Sequence, residues 1–343
     1  RTRGAAHLSR TGGCMQSFEW VDADSVEQAV SLLGEGSERQ RVVAKAGGMD
    51  LLDLMKGGVV APHRVVNLKT IKGLDGVRFD AKQGLELGSL VTLARVSREP
   101  EVRRRFVALA EAAEHAATPQ VRNAATMGGN LLQRPRCWYF RYDHFHQAGG
   151  DDVERVRSGQ NQYQAIFDNQ RTVMVHASTP ATALLAYGAS VELTGPGGKT
   201  RVVPNSHFLL PPDMKRATDT LIAPNELLTR VRIPAPPAGT KAAYHKQGER
   251  ESYDWPLCDV AVVLQMDGQI VRQAAIALGW VAPTPRRAAE AEKLLVGKKL
   301  DEELARQAAK AAVSGATPLS KNAYKVPILE AVIRRTVVAA SKA

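Results

Sequence analysis

The sequence predicts an α+β protein with two domains, and three stretches of its 343 residues support this fold class. Residues 15–70 alternate short apolar segments with helical patterns, which indicates a small β-α-β-α-β unit. Residues 240–343 place three strand patterns ahead of three helical patterns, an order typical of α+β domains. Between these regions, the proline-rich stretch 234–240 cannot continue a helix or a strand and is predicted to be a linker. The predicted domains are therefore residues 15–235 and 240–343.

The first domain is divided into subdomains at residues 15–70 and 71–235. In the first, strands are predicted at 18–20, 41–46 and 62–68, and helices at 25–33 and 51–56. Asp24 or Ser25 is expected to cap the first helix, since a short oxygen-bearing side chain there accepts a hydrogen bond from a free N–H group. Asp50, just before the second helix, is interpreted as a solvated cap or turn residue rather than a catalytic base.

The second subdomain is predicted to close a further sheet. Strands are expected at 77–79, 85–87, 191–193, 199–203 and 226–233, and another in the region that begins at Val173. A loop is expected at 93–97, a helix at 104–117, a long glycine-containing loop at 117–133, a short helix ending near Tyr187, and a loop or short turn at 205–209. His115, close to the end of the 104–117 helix, is interpreted as a cap or packed side chain rather than a ligand.

The C-terminal domain is expected to pair an antiparallel sheet with helices. Strands are predicted at 242–247, 258–265 and 270–278, and helices at 285–296, 301–314 and 322–341. Cys258 lies within an apolar strand pattern and is interpreted as a small buried residue.

Composition excludes several classes of protein. The formal net charge is +11, but aromatic residues make up only 5% of the chain and no nucleic-acid-binding signature is present, so we predict no nucleic-acid partner. The three cysteines form no Cys-x-x-Cys pair, which argues against a disulfide framework or a self-contained metal site. No apolar run is long enough for a membrane span. Residues 1–14 are basic, lack the apolar stretch of a secretory signal, and are interpreted as a leader or disordered arm.

Two glycine pairs follow apolar or helical stretches and could hold an anion. Gly47-Gly48 comes after a predicted strand, and Gly128-Gly129 comes after Thr126. Glycine lets backbone N–H groups approach a phosphate closely because there is no Cβ in the way. Neither loop matches the dinucleotide fingerprint or the Walker phosphate loop, and a tight turn is the alternative interpretation of each.

Several longer motifs give the chain a family resemblance. They are Ala46-Gly-Gly-Met-Asp-Leu-Leu-Asp-Leu-Met-Lys56, Ala117-Thr-Pro-Gln-Val-Arg-Asn123, Thr126-Met-Gly-Gly-Asn130, Arg136-Cys-Trp-Tyr-Phe-Arg141, Arg250-Glu-Ser-Tyr-Asp-Trp-Pro-Leu257, Ile276-Ala-Leu-Gly-Trp-Val-Ala-Pro283 and Pro318-Leu-Ser-Lys-Asn-Ala-Tyr-Lys-Val-Pro327. In this order they resemble the FAD-binding subunit of the xanthine dehydrogenase family of molybdenum hydroxylases. The resemblance extends from about Met15 to the C-terminus.

This resemblance implies a two-part FAD-binding domain of the vanillyl-alcohol-oxidase-like (PCMH) type and a flavin diphosphate lying over both glycine loops. Carried over position by position, the cofactor-binding residues are Lys45, Ala46, Gly47, Gly48, Met49, Asp50, Leu51, Ala117, Thr118, Thr126, Gly128, Gly129, Asn130, Thr179, Leu228 and Lys246. Lys246 matches a lysine near the flavin ring. Thr179 stands where many relatives have an aspartate, so this position brings no charge. No catalytic side chain and no metal ligand is expected.

Residues 134–172 are predicted to be an insertion with a polar surface and an aromatic underside. The alternative of a metal site at His144 and His146 lacks an evident third ligand. Some members of the resembled family hold a four-iron cluster on four cysteines here. This chain has only Cys137 at such a place, so the insertion is expected to be kept and the iron–sulfur cluster lost.

The function implied by the resemblance is electron transfer through FAD. A large molybdopterin-binding subunit and a small subunit with two-iron clusters would be the partners, and NAD, oxygen, a quinone or a ferredoxin the acceptor. The alternative is a structural or assembly subunit with weakened or lost flavin. A stand-alone flavin oxidase of the vanillyl-alcohol type is a third hypothesis, but no substrate pocket or covalent tether is evident. A cytoplasmic location is expected, and export of the folded complex on a partner's signal stays open.

Overall fold

The computed structural model describes residues 15–37, 39–141, 152–213 and 215–343. The predicted leader, residues 1–14, and the pair His144 and His146 lie outside these ranges. None of the helices in the described ranges is long and apolar enough to cross a membrane. The described elements confirm the α+β class: a small parallel unit comes first, and two antiparallel sheets with their own helices follow.

The first subdomain is a three-stranded parallel sheet with two helices. The strands lie in the order β1, β3, β2, and they are β1 Glu19–Asp22, β2 Val42–Lys45 and β3 Arg64–Asn67. The helices are α1 Val26–Gly34 and α2 Leu51–Lys56. Ser25 caps α1 by accepting from the N–H of Gln28 at 3.1 Å. Because β2 leads directly into the turn before α2, the first glycine pair lies at the carboxyl end of this sheet.

The second subdomain is a five-stranded antiparallel sheet in the order β4, β5, β8, β6, β7. Its strands are β4 Val77–Asp80, β5 Gly84–Gly88, β6 Ser190–Thr194, β7 Thr200–Pro204 and β8 Leu227–Ile233. The helices around it are α3 Leu93–Arg98, α4 Pro100–Arg105, α5 Val107–Glu114, α6 Pro119–Ala124, α7 Met127–Leu131, α8 Trp138–Arg141, α9 Asp152–Ser158, α10 Thr179–Ala186 and α11 Asn205–Phe208, with a 3-10 turn at Pro196–Gly198.

Several local predictions for this subdomain were wrong. The loop expected at 93–97 is helix α3, because Thr92 caps it by accepting from the N–H of Arg95 at 3.2 Å. The single helix expected at 104–117 is two helices, α4 and α5, broken at Phe106, whose φ of −128° is not helical. The expected long loop holds α6 and α7, each capped by a threonine. The stretch after Val173 is buried but forms no strand.

The described part of the insertion has the predicted aromatic underside. Tyr139 and Phe140 are buried in one cluster with Cys137 and Val156. The Cys137 thiol accepts a hydrogen bond from Gln164 Nε2 at 3.3 Å, and burial raises its pKa. This cysteine is therefore a packed core residue.

The C-terminal domain is a four-stranded antiparallel sheet in the order β12, β11, β10, β9, covered by three helices. The strands are β9 Thr240–Gln247, β10 Cys258–Asp267, β11 Ile270–Gly279 and β12 Arg286–Arg287, and the helices are α12 Ala289–Leu295, α13 Glu302–Val313 and α14 Lys325–Lys342. Strand β12 was not predicted. It takes the first residues of the expected 285–296 helix, since Arg286 and Arg287 pair with β11. Cys258 is fully buried, as predicted.

The two domains share a hydrophobic core. The largest cluster combines residues of β5, α5, α10 and β8 with Tyr244, Ala261 and Ala277 of the C-terminal sheet. At the same contact, Thr182 of α10 donates to the buried Asp259 carboxylate at 3.1 Å. The C-terminal domain therefore packs directly against the first domain and is not attached to it through the linker alone.

Candidate cofactor-binding site

A cleft of about 980 Å³ runs between the two subdomains and ends at the C-terminal domain. Of the predicted cofactor-binding residues, every one except Thr118 lines it. Thr118 instead caps α6, where its hydroxyl accepts from the N–H of Val121 at 3.3 Å. The volume is at the upper end of the range common for small-molecule and cofactor sites.

The first glycine loop presents its backbone to this cleft. Gly48 has φ +78°, a conformation that side chains with a Cβ rarely adopt. Within the described ranges, no acceptor takes a hydrogen bond from the N–H groups of Gly47, Gly48 or Met49. Three successive N–H groups without internal partners are suited to an anion such as a phosphate.

The two glycine loops touch each other. A Cβ built on Gly47 would lie 2.0 Å from the carbonyl oxygen of Ala124, at the end of α6. A Cβ on Gly128 would lie 2.9 Å from the Cβ of Ser89. Glycine at position 47 therefore lets the two loops touch and form one wall, and glycine at position 128 lets the second loop pack on Ser89, just after β5.

In the second glycine loop, the backbone N–H groups donate hydrogen bonds to other groups of the protein. The N–H of Gly128 donates to Ser89 O at 2.8 Å, and that of Gly129 donates to Thr126 Oγ1 at 3.1 Å. The amide N–H of Asn130 donates to Thr126 O. The groups of this loop that are left for a ligand are the Thr126 hydroxyl proton and the Asn130 side chain.

Asn130 is oriented by a buried serine that the sequence did not single out. Ser178 Oγ donates to Asn130 Oδ1 at 2.5 Å and accepts from the N–H of Ala181 at 3.0 Å. Its own N–H donates to His176 Nδ1 at 3.2 Å. Burial lowers the pKa of His176 to about 4, so this ring is neutral at physiological pH and can accept that bond. With Oδ1 occupied, the amide NH₂ of Asn130 is free for the cleft.

Thr179 and Lys246 lie where the C-terminal domain meets the cleft. The Thr179 hydroxyl donates to Ala112 O at 3.1 Å, so it is engaged within the protein. Lys246 Nζ donates to His115 O at 3.0 Å, and burial lowers the pKa of this lysine. His115 is the C-terminal cap of α5, as one of its two interpretations had it, and its exposed ring stacks on Tyr244 at the cleft.

The described cleft wall is strongly basic. It includes seven Lys and Arg side chains against three carboxylates. Arg134 and Arg136, from the start of the insertion, lie on this wall, and the sequence alone did not place them there. An excess of cations and free amides suits an anionic ligand.

Asp50 is not the solvated residue that was predicted. Only 15% of its side chain is exposed, and its carboxylate pairs with Arg136 at 3.0 Å and Arg141 at 2.6 Å. The partners come from the insertion, far along the chain, so the sequence around Asp50 carried no signal of this pairing.

These features fit an extended dinucleotide. The free amides of the first loop, the positions where glycine leaves no Cβ, and the basic wall all favour a diphosphate. The cleft volume of about 980 Å³ leaves room for further groups of the ligand. The fold and the site together define a protein that binds a dinucleotide cofactor.

Comparison with known families gives the same class. Residues 16–236 match the model of the FAD binding domain in molybdopterin dehydrogenase, and residues 243–340 match the CO dehydrogenase flavoprotein C-terminal domain. The chain belongs to this family and is a FAD-binding medium subunit of the molybdenum hydroxylase type. Its cofactor is FAD.

Individual relatives cover most of the chain. The aldehyde oxidoreductase FAD-binding subunit PaoB of Escherichia coli is 35% identical over 73% of this chain and 78% of its own length. The carbon monoxide dehydrogenase medium chain of Hydrogenophaga pseudoflava is 32% identical over 88% of each. A solved structure of carbon monoxide dehydrogenase from H. pseudoflava superposes with a TM-score of 0.75 at 29% identity, covering 95% of this chain and 98% of that one.

Proposed function

We propose that this chain transfers electrons from iron–sulfur clusters of a partner subunit, through FAD, to an acceptor. The observation that carries the proposal is the joining of the two glycine loops into one wall beside a basic cleft. FAD supplies the redox chemistry when bound. The protein's share is to place the cofactor and to set its electrostatic surroundings.

Each group on the wall has a proposed task. The N–H groups of Gly47, Gly48 and Met49 bind the diphosphate, and the Thr126 hydroxyl and Asn130 amide bind the same part of the ligand from the other loop. Lys246 places a positive charge at the C-terminal side of the cleft, where it stabilises negative charge on a reduced ring. No side-chain acid, base or nucleophile is required, and the described residues include no group of His, Cys, Asp and Glu arranged to hold a metal ion.

We further propose that the chain works as one subunit of a complex. A large molybdopterin subunit and a small subunit with two-iron clusters are the proposed partners, because two relatives are named as medium chains of carbon monoxide dehydrogenase. NAD and oxygen are the first acceptors to test. A cytoplasmic location is proposed for the complex.

A structural or assembly subunit is the alternative function, and Thr179 favours it. This residue carries no charge, and its hydroxyl is committed to Ala112 O. Such a subunit would bridge the partners with weakened or lost flavin.

An absorption spectrum of the purified chain separates the two proposals. The electron-transfer proposal expects a visible flavin band and the release of about one FAD per chain on denaturation, as one extended dinucleotide site implies. A colourless protein that still assembles with its partners would leave only the assembly role.

A further inference from the structure

The insertion begins with a segment, residues 134–141, whose arginines converge on the first glycine loop. Arg141 Nη2 lies 2.6 Å from Asp50 Oδ1, and Arg136 Nη2 lies 3.0 Å from the same oxygen. The backbone N–H of Arg134 donates to the other oxygen, Oδ2, at 2.8 Å. Since Asp50 directly follows Met49, these contacts fix the end of the loop that carries the free amides.

Arg141 connects this loop to its own segment. Besides Asp50, it contacts Asp53 Oδ2 at 2.6 Å and donates to the carbonyl oxygens of Pro135 and Arg134 at 2.8 and 3.0 Å. Its side chain is 8% exposed and is not part of the cleft wall. One guanidinium thus joins two carboxylates at the start of α2 to two carbonyls of the insertion.

The other two arginines, Arg134 and Arg136, connect the segment to further parts of the protein. Arg134 donates to Arg216 O at 2.5 Å and Asp213 O at 2.8 Å, and it pairs with the buried Asp219 at 3.1 Å. Arg136 lies 4.7 Å over the ring of Trp255, in the C-terminal domain. Burial lowers the pKa of Arg136 to about 10, so it is still charged at neutral pH.

We propose that residues 134–141 act as a brace that holds the first glycine loop in its cofactor-binding conformation. Binding of FAD then depends on Arg141, a positioning residue that has no contact with the cleft. The inference rests on the proposed placement of the FAD diphosphate at this loop.

The test uses Arg141→Gln and Asp53→Asn in the full chain. The dissociation constant of FAD is measured by titrating the apoprotein, and urea unfolding of the same apoprotein gives its stability. We expect Arg141→Gln to weaken FAD binding at least about tenfold, because the Asp50 carboxylate loses the nearer of its two guanidinium partners and the loop loses its connection to the carbonyls of the insertion. Asp53, which is 58% exposed, should have a smaller effect of about threefold. The Arg141→Lys variant should bind FAD with intermediate affinity, since lysine keeps the positive charge but cannot make the several directed hydrogen bonds of a guanidinium group.

Matched controls separate positioning from general stability. Arg287 makes a bidentate ion pair with Glu292 in the C-terminal domain, with N–O distances of 2.6 and 2.9 Å. Asp267 is an exposed carboxylate that is paired with Arg272. Arg287→Gln and Asp267→Asn should leave the affinity for FAD unchanged.

The outcomes distinguish the brace from the proposed function. Wild-type affinity in folded Arg141→Gln and in Asp53→Asn would overturn the brace, as would an equal loss in the controls. If Arg141→Gln does not fold, Asp53→Asn decides alone, with unchanged affinity counting against the brace. A wild-type chain that fails to bind FAD would contradict the cofactor assignment instead.

Discussion

At Gly47 the backbone of a neighbouring loop lies so close that there is no room for a Cβ atom. Gly47 has a φ that any residue can adopt, so its importance comes from space and not from backbone freedom. An added methyl group would overlap the Ala124 carbonyl, which belongs to the other glycine loop. The sequence shows the glycine pair, but only the fold shows which neighbour makes it necessary.

Gly47→Ala should separate the two loops and weaken FAD binding. Overpacking of this kind costs about 1–3 kcal/mol, so we expect the dissociation constant to rise by about five- to 150-fold. FAD titration of the apoprotein measures it. Gly76→Ala is the control, because a Cβ at that glycine meets nothing within 4 Å. Equal affinities in the two variants would show that the loops can move apart without loss of binding.

Ser178→Ala should weaken FAD binding by releasing the Asn130 amide. Loss of one hydrogen bond predicts an effect of about three- to tenfold on the dissociation constant. The substitution also removes the cap of α10, which costs about 1 kcal/mol of stability. Asp301→Ala removes a comparable cap from α13, where Asp301 accepts from the N–H of Leu304 at 2.8 Å. Both variants should lose stability, and only Ser178→Ala should lose affinity. A similar affinity in both would contradict the role given to Ser178.

At the scale of elements, the sequence correctly predicted the helices and strands whose positions depend on local residue patterns. The three parallel strands, α1, α2 and the three long strands of the C-terminal sheet were predicted to within a few residues, because their apolar periodicity is strong and their caps are local. Of the sixteen cofactor-binding residues that the family resemblance supplied, fifteen also lie on the cleft wall.

The errors have two physical origins. Short helices such as α6 and α7 have little periodicity, so glycine and proline in them resemble loop sequence although a threonine caps each one. The two-residue strand β12 is defined only by its partner β11. Asp50 was misjudged for the related reason that its arginine partners lie more than 80 residues away.

Helix α14 is attached to the rest of the chain by a buried lysine at its first position. Lys325 Nζ donates to Trp280 O at 2.7 Å and Gln164 O at 3.1 Å, and it lies 3.4 Å from Tyr163 O. The side chain is fully buried, and burial lowers its pKa to about 8. This lysine joins the helix to the insertion and to the end of β11.

Lys325→Met should destabilise the chain by about 2–4 kcal/mol. Methionine fills similar space but leaves the buried carbonyl oxygens without their donor. Urea unfolding of the purified protein measures the change. Lys293→Met is the control, because Lys293 is 71% exposed and its partner Glu290 is exposed as well. A loss equal to that of the control would mean that water or a neighbouring group satisfies the carbonyls.

At the scale of the whole molecule, the shared core predicts that the two domains unfold together. The contact between α10 and the C-terminal sheet includes a fully buried carboxylate, Asp259. It accepts from Tyr244 Oη at 2.7 Å and from Thr182 Oγ1 at 3.1 Å. A Cβ on Gly279 would lie 1.8 Å from Asp259 Oδ1, so this glycine makes room for the carboxylate.

This carboxylate makes the stability of the interface depend on pH. Burial raises the pKa of Asp259 to about 7, above the value of about 3.9 expected for an unfolded chain. Below the lower value both states hold the proton. As pH rises from about 4 to about 7, the folded state keeps its proton while the unfolded state releases it, so this group's contribution to stability is progressively lost. Lys246 and Thr182 favour the charged form but do not outweigh burial.

Asp259→Asn should remove this loss, because an amide does not titrate and its oxygen can still accept from Tyr244. The variant's unfolding free energy minus that of the wild type should increase between pH 4 and pH 8 by on the order of 2–4 kcal/mol. Urea unfolding of both proteins across this range gives the difference directly. Asp267→Asn, at an exposed carboxylate, should give a curve parallel to the wild type. If the Asp259→Asn curve is also parallel, Asp259 is ionised in the folded protein throughout, and the domain contact holds a buried charge instead of a proton.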